Sequence, residues 1–336
     1  MTDSKASNSL VILCLIAVTV VLYILKPLLI PFLIAVMLSY ILGPLVEKLA
    51  SYKIPRIVTL FVIFIVGIGV LATFLDVVVS NARTFSENIP EYRTQFMVLF
   101  DQYSTQYPWL NRSFEEVISF LFGLPIGSYT TAVVSSSLSF LSDALLVIFF
   151  ITYLCLSLHT YPGKIERAFP GTKGKNIQRI LSHINRDIRQ YISIHTFVSL
   201  GVGISVGIIC WSFGIPFAFL WGFLAFVLNY IPTIGSIVAS IPPVVIAVVQ
   251  LGIGSAVMVA LLIILAQMVW ENVIERKMAG ESLGMSAIVM LLFLVFWTWL
   301  WGIVGAILAV PIASMVKIVC ENVPSLKPIS VLMDDR

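Results

Sequence analysis

Long apolar runs fill most of this chain, and two of them are too long to be single membrane spans. The runs cover residues 10–25, 28–46, 57–79, 131–158, 196–213, 217–250, 253–270 and 285–320. A helix rises about 1.5 Å per residue, so a hydrocarbon core of about 30 Å takes about 20 residues. The blocks 217–250 and 285–320 far exceed that. The first is broken in its middle by Asn229-Tyr230-Ile231-Pro232-Thr233-Ile234-Gly235-Ser236, inside a stretch from Thr196 to Trp270 that contains no Asp, Glu, Lys, Arg or His. The second is punctuated by Gly302, Gly305 and Pro311. Proline removes a helical hydrogen bond and clashes with the preceding turn, while glycine accepts the backbone angles that a tip requires. A break at membrane depth frees N–H and C=O groups that hydrocarbon cannot satisfy, so it must face protein or a watery cavity.

Composition points the same way. The chain is 59% hydrophobic and 11% charged, with a mean hydropathy of +1.03. Soluble domains run about 45–50% apolar and about 25% charged. The fold class expected is an all-α polytopic membrane protein with about eight hydrophobic segments, two of them broken or re-entrant helical hairpins in an inverted arrangement. The net charge of +3 is small and dispersed, so it points to no nucleic-acid partner. The first run is followed by Tyr23-Ile24-Leu25-Lys26-Pro27, which offers no small-x-small cleavage site, and is expected to be a retained helix. Cys14, Cys155, Cys210 and Cys320 all lie in apolar segments and form no C-x-x-C pair, as expected of buried thiols acting as small hydrophobes.

Charge sets the expected orientation. Residues 159–195 carry Lys164, Arg167, Lys173, Lys175, Arg179, Arg186 and Arg189 against Glu166 and Asp187. Residues 80–130 carry Arg83, Arg93 and Arg112 against Glu87, Glu91, Asp101, Glu115 and Glu116. Basic excess marks the cytoplasmic side, which places 159–195 inside, 80–130 outside and both termini inside. The expected organisation is N-terminal membrane helices over 1–79, a small helical extracytoplasmic region over 80–130 and a membrane helix over 131–158. A cytoplasmic basic amphipathic helix over 159–195, a transport core over 196–320 and a tail over 321–336 follow. In the amphipathic helix Ile177, Ile180, Leu181, Ile184, Ile188, Tyr191 and Ile192 recur at helical spacing. Such a helix either lies in the membrane interface or docks on a partner helix. In the outer region Ser113 and Glu116 have capping-box spacing.

If both long blocks are hairpins, the charge map makes 217–250 enter from outside and 285–320 from inside. That inverted pair is the architecture of alternating-access carriers. Each block read as one kinked, tilted span is the alternative. Asn229 is the leading candidate for a solute contact, because an amide offers two donors and an acceptor. An unpaired amide in hydrocarbon costs about 2–7 kcal/mol, so Asn229 either binds solute or ties down the break. Thr233 and Ser236 supply hydroxyls beside it, Pro232 and Gly235 shape the tip, and Gly302, Gly305 and Pro311 do the same in the second block. Asp143 and Glu271 are the carboxylates placed to couple a proton or cation. Gln250 and Gln267 suit interhelical hydrogen bonds, and His183 with Asp187 makes a solvated surface pair. Enzyme chemistry finds no support: H-E-x-x-H, G-x-S-x-G and cysteine pairs at metal-ligand spacing do not occur. No cofactor or metal is expected.

Three motifs carry a family resemblance. They are Phe217-Ala218-Phe219-Leu220-Trp221-Gly222-Phe223-Leu224-Ala225-Phe226-Val227-Leu228-Asn229-Tyr230-Ile231-Pro232 with Gly235 and Ile241-Pro242-Pro243, then Glu271-Asn272-Val273-Ile274-Glu275 through Met278-Ala279-Gly280 with Leu283-Gly284, and Trp301-Gly302-Ile303-Val304-Gly305-Ala306 with Ala309-Val310-Pro311. Together with the layout they resemble the autoinducer-2 exporter family, the PerM-type permeases. Arg276 and Met285-Ser286 depart from the pattern, standing where many members carry proline-containing steps. The resemblance implies an inner-membrane exporter of small molecules, a homo-oligomer and more narrowly a pentamer. It points to autoinducer-2, a furanosyl polyol and quorum-sensing signal, as the solute. A charge-free lining agrees with a polar, uncharged ligand. A sodium (or potassium)/proton antiporter using the carboxylates is the alternative within transport, and a non-transporting scaffold is the alternative outside it.

Overall fold

A computed structural model describes residues 2–51, 56–104, 137–157, 161–231, 234–279 and 285–334. The described residues are helical with no strand; the only β pairing among them is an isolated bridge between Met285 and Asp334. The helices are α1 (Thr2–Ile24), α2 (Lys26–Ser51), α3 (Arg56–Ser104), α4 (Ser137–Ser157), α5 (Tyr161–Ala168), α6 (Thr172–Ser212), α7 (Ala218–Leu228), α8 (Ile234–Leu251), α9 (Ile253–Met268), α10 (Arg276–Ala279), α11 (Ala287–Trp301), α12 (Ile303–Asn322) and α13 (Lys327–Leu332). A π-helical stretch, Val269–Glu275, joins α9 to α10. Among the described residues, five segments are long and apolar enough to cross a membrane: Lys26–Gly43, Thr172–Ser212, Ile234–Leu251, Ile253–Met278 and Ile303–Asn322. The chain is an all-α, multi-pass membrane protein.

Two helices run further than their apolar blocks. α3 continues through the polar residues 80–104, past Pro90, for 49 residues in all. At 1.5 Å per residue that is roughly 73 Å, more than twice a bilayer core. Its polar half is supported by pairs one turn apart, Arg83 with Glu87 at 3.1 Å and Glu91 with Gln95 at 3.1 Å. The Ser113–Glu116 capping pattern lies outside the described residues. α6 likewise joins the amphipathic segment and the following apolar block into one 41-residue helix. The amphipathic stripe is not left to lipid. Ile184, Ile188 and Ile192 are buried against Ile318, with Met37, Tyr40, Ile41, Met315 and Val319 around them. Docking on helices is therefore what covers this face, and Tyr40 donates to Asn185 Oδ1 at 2.8 Å beside it.

The chain divides into two compact units. One comprises Met1–Phe61, Ser142–Ser193 and Glu281–Arg336, the other Val62–Leu141 and Ile194–Gly280. In the second, a core of Val202, Val206, Cys210, Trp221, Ala225, Ile246, Val259 and Ile263 joins α6 to α9. Phe85 of α3 meets Trp221 edge-on at 5.1 Å and Phe217 at 5.7 Å. In the first unit, Leu300, Trp301 and Leu308 pack with residues of α1 and α2, and Trp301 Nε1 donates to the Leu22 carbonyl at 3.2 Å.

Candidate functional site

Each long apolar block is two helices folded against one another. α7 ends at Leu228 because Pro232 lies ahead: it has no N–H, and it disfavours helical angles in the residue before it. The chain leaves α7 in tight turns, with Tyr230 N bonded to Val227 O and Ile231 N to Leu228 O at 2.8 Å. It re-enters α8 at Ile234, with Gly235 N bonded to Ile231 O at 3.0 Å. Pro232 and Thr233 lie outside the described residues. Gly235 is buried, and a Cβ there would run into the Leu228 carbonyl oxygen. The second block turns at Gly302, with φ 68 and ψ −146, between α11 and α12. A Cβ on Gly305 would run into the Trp297 carbonyl oxygen. The two blocks thus use one device: a glycine early in the returning arm lies on a carbonyl of the outgoing arm. Pro311 is inside α12 and fully buried, as Pro242 and Pro243 are inside α8, where Pro243 is fully buried.

Around the first break the unit gathers its polar side chains. α6 presents His195, Thr196 and Ser199, and then approaches α7 closely, because Gly203 and Gly222 leave room for each other's carbonyls. Tyr230 and Thr196 share a hydroxyl–hydroxyl bond of 2.8 Å. Asn229 is 7% exposed, and its Nδ2 donates to the fully buried Ser199 Oγ at 3.0 Å. Its Oδ1 has no accessible surface and no hydrogen-bond partner. A buried acceptor left unmade costs about 1–3 kcal/mol. Between α8 and α9, Gln267 Nε2 donates to Ser240 Oγ at 3.1 Å and to the Ser236 carbonyl at 3.2 Å. Gln267 thus plays the interhelical role expected of it, whereas Gln250 is exposed at the end of α8.

The charged candidates belong to different units. Asp143 is exposed on α4. Glu271 belongs to the π stretch, which also holds Glu275 against His195, with Nδ1 and Oε1 2.9 Å apart. Sequence reasoning did not single out His195, Thr196 or Ser199, or join Glu275 to a histidine. The one usable signal was their placement: His195 is the last ionisable residue before the charge-free stretch and Glu271 the first after it. His183 is exposed, and Asp187 pairs with Arg186 at 3.4 Å. Lys317, near the end of the second long block, is 2% exposed, donates to Asp334 at 3.0 Å and pairs with Glu321 at 3.6 Å. No group of three His, Cys, Asp or Glu suited to a metal occurs among the described residues.

An apolar groove of about 460 Å³ lies on α6 and α7, lined by residues such as Leu200, Ile204, Trp211, Phe219 and Phe223. It lacks the polar groups needed to orient a hydrophilic solute.

Known proteins share this chain over nearly its whole length. A family described as "AI-2E family transporter" matches residues 12–325. "AI-2 transport protein TqsA" of Escherichia coli K12 is 28% identical over 313 residues, covering 91% of this chain and 89% of TqsA. Two proteins provisionally named as transport proteins are each 29% identical. The one from Borreliella burgdorferi covers 90% of this chain and 83% of its own, and the one from Haemophilus influenzae covers 91% and 90%. Span-length helices, paired broken blocks and a match running from α1 to the end of α12 lead to one assignment: the chain belongs to the AI-2E transporter family, a family of membrane transporters.

Proposed function

We propose that this protein exports a small, polar, largely uncharged solute of the autoinducer-2 type across the bacterial inner membrane. The solute binds at the break between α7 and α8. The observation that carries this is the buried Asn229 Oδ1 with no partner, in a stretch without charges. Its amide nitrogen is already fixed by Ser199, so what remains is an acceptor matched to a hydroxyl donor. A polyol supplies that donor without bringing a charge into a low-dielectric site. TqsA, named for AI-2 transport, is similar over most of both chains, which supports the choice of solute. Thr233, Ser236 and Gly235 complete the first tip, with Pro232 setting the break; Gly302, Gly305 and Pro311 shape the second hairpin.

In this reading both hairpins are re-entrant. α7 has 11 residues, about 16 Å of rise, and α11 has 15, about 22 Å, and neither reaches across about 30 Å of hydrocarbon. Phe217 and Trp221 pack against Phe85, well beyond the apolar part of α3. That contact supports entry of the first hairpin from the extracytoplasmic side, with both termini in the cytoplasm. The working form is a homo-oligomer, a pentamer on family grounds. The test is release of labelled autoinducer-2 from proteoliposomes holding the purified protein, with and without an imposed proton or sodium gradient. Release above protein-free vesicles that Asn229→Leu abolishes supports the reading. Gradient dissipation without solute movement overturns it.

A further inference from the structure

The His195–Glu275 pair is unused by the solute site described above, yet it is built into the same wall. The two side chains are 12% and 25% exposed, with Nδ1 2.9 Å from Oε1. Glu275 closes the π-helical stretch, a helix form found mostly as single-turn insertions in α-helices and frequently at functional sites. On the other side of the imidazole lies Tyr230, whose ring meets it edge-on with centroids 5.0 Å apart. Tyr230 follows Asn229 in the break and is held by Thr196, the residue after His195. One side chain therefore touches both the carboxylate of the π stretch and the break.

We propose that the His195–Glu275 pair is a proton-binding site whose occupancy sets how firmly the 229–231 break is held. Histidine is the side chain whose ordinary charge change falls between about pH 5 and 8. With a neutral imidazole the pair carries one negative charge; with a proton bound it is an imidazolium–carboxylate pair of net charge zero. Nδ1–H donates to the ionised Oε1 in both states; the added proton goes to Nε2 and turns a bond from a neutral ring into one between opposite charges, which is shorter and stronger. Among the described residues, titratable groups facing His195 include Glu275 and Glu271 of the π stretch and Tyr230 of the break. Arg276 is turned to Asn272 Oδ1 at 3.1 Å, and Lys277 is exposed. Proton uptake fixes the ring, the ring fixes Tyr230, and Tyr230 holds Asn229 in register with Ser199. A link from this site to transport rests on the solute reading above. The link from proton to break does not, and it is measured without solute.

The chain has three histidines, His159, His183 and His195, so ¹³C-histidine labelling of the full-length protein in lipid nanodiscs gives a spectrum that His195→Gln assigns. The experiment titrates that signal from about pH 5 to pH 8 and follows protection of the Asn229, Tyr230 and Ile231 amides, corrected for intrinsic exchange. The expected result is break amides about fivefold to tenfold better protected when the proton is bound. That dependence is lost in His195→Gln and Glu275→Gln and kept in Glu275→Asp. A His195 signal that does not titrate, or a pH dependence that persists in both neutral variants, overturns the proposal. If the linkage holds while solute release fails, the pair stands and the solute assignment falls.

Discussion

Replacing Asn229 with leucine separates a solute contact from a structural tie, because the two make opposite demands on stability. In the folded protein the amide makes one bond, Nδ2 to Ser199 Oγ at 3.0 Å, and leaves Oδ1 buried and unmade. Losing the bond costs about 0.5–1.5 kcal/mol, and removing the unmade acceptor returns about 1–3 kcal/mol. Ser199 is fully buried, but a serine within a helix can bond back to the carbonyl four residues earlier, so its stranding is mitigated. The sum runs from about 0.5 kcal/mol of destabilisation to about 2.5 kcal/mol of stabilisation, so the apparent melting temperature should not fall by more than about 2 °C. Transport should nevertheless fail. The assay is thermal unfolding of the purified protein in detergent beside solute release from proteoliposomes. A stable protein without flux supports a site kept at a stability penalty for function. A drop beyond about 3 kcal/mol, the range expected when a fully used buried network is broken, would show that Asn229 is a tie, and the reasoning from Oδ1 would fail.

Backbone and charge give further checks. Gly302→Ala places a side chain at φ 68 and ψ −146, essentially a glycine-only region, and should destabilise by about 1–3 kcal/mol in thermal unfolding. Gly235→Val and Gly305→Val push a side chain into a carbonyl of the opposite arm; each should cost about 1–3 kcal/mol and lower flux, whereas exposed Gly254→Val should not. Lys317→Ala removes the buried cation that Asp334 and Glu321 share and should destabilise by more than Asp334→Asn, which leaves Lys317 with Glu321 at 3.6 Å. Unfolding midpoints for the two variants decide that order.

Much of this architecture was legible as hydropathy. Membrane helices announce themselves by length, and Pro232 and Gly302 mark their breaks because backbone rules act locally. The extents of α3 and α6 were hidden, since a helix continuing from hydrocarbon into water changes its composition without changing its backbone. The docking of Ile184, Ile188 and Ile192 on Ile318 was equally invisible: an apolar stripe looks the same whether lipid or protein covers it. Asn229 was readable because an amide inside a charge-free stretch needs a partner. His195 with Glu275, and Lys317 with Asp334, were not, because those pairings join residues 80 and 17 apart in the chain.

Whether solute sits at the break between α7 and α8 can be read from the protection of a reporter placed there. Cys14, Cys155, Cys210 and Cys320 are replaced, Ser236→Cys is introduced, and its reaction with a small maleimide is timed in proteoliposomes with and without autoinducer-2. Modification is expected to slow in proportion to occupancy, and Asn229→Leu in the same background is expected to remove the effect. An unchanged rate at saturating solute, in a protein that still transports it, would place the binding site elsewhere.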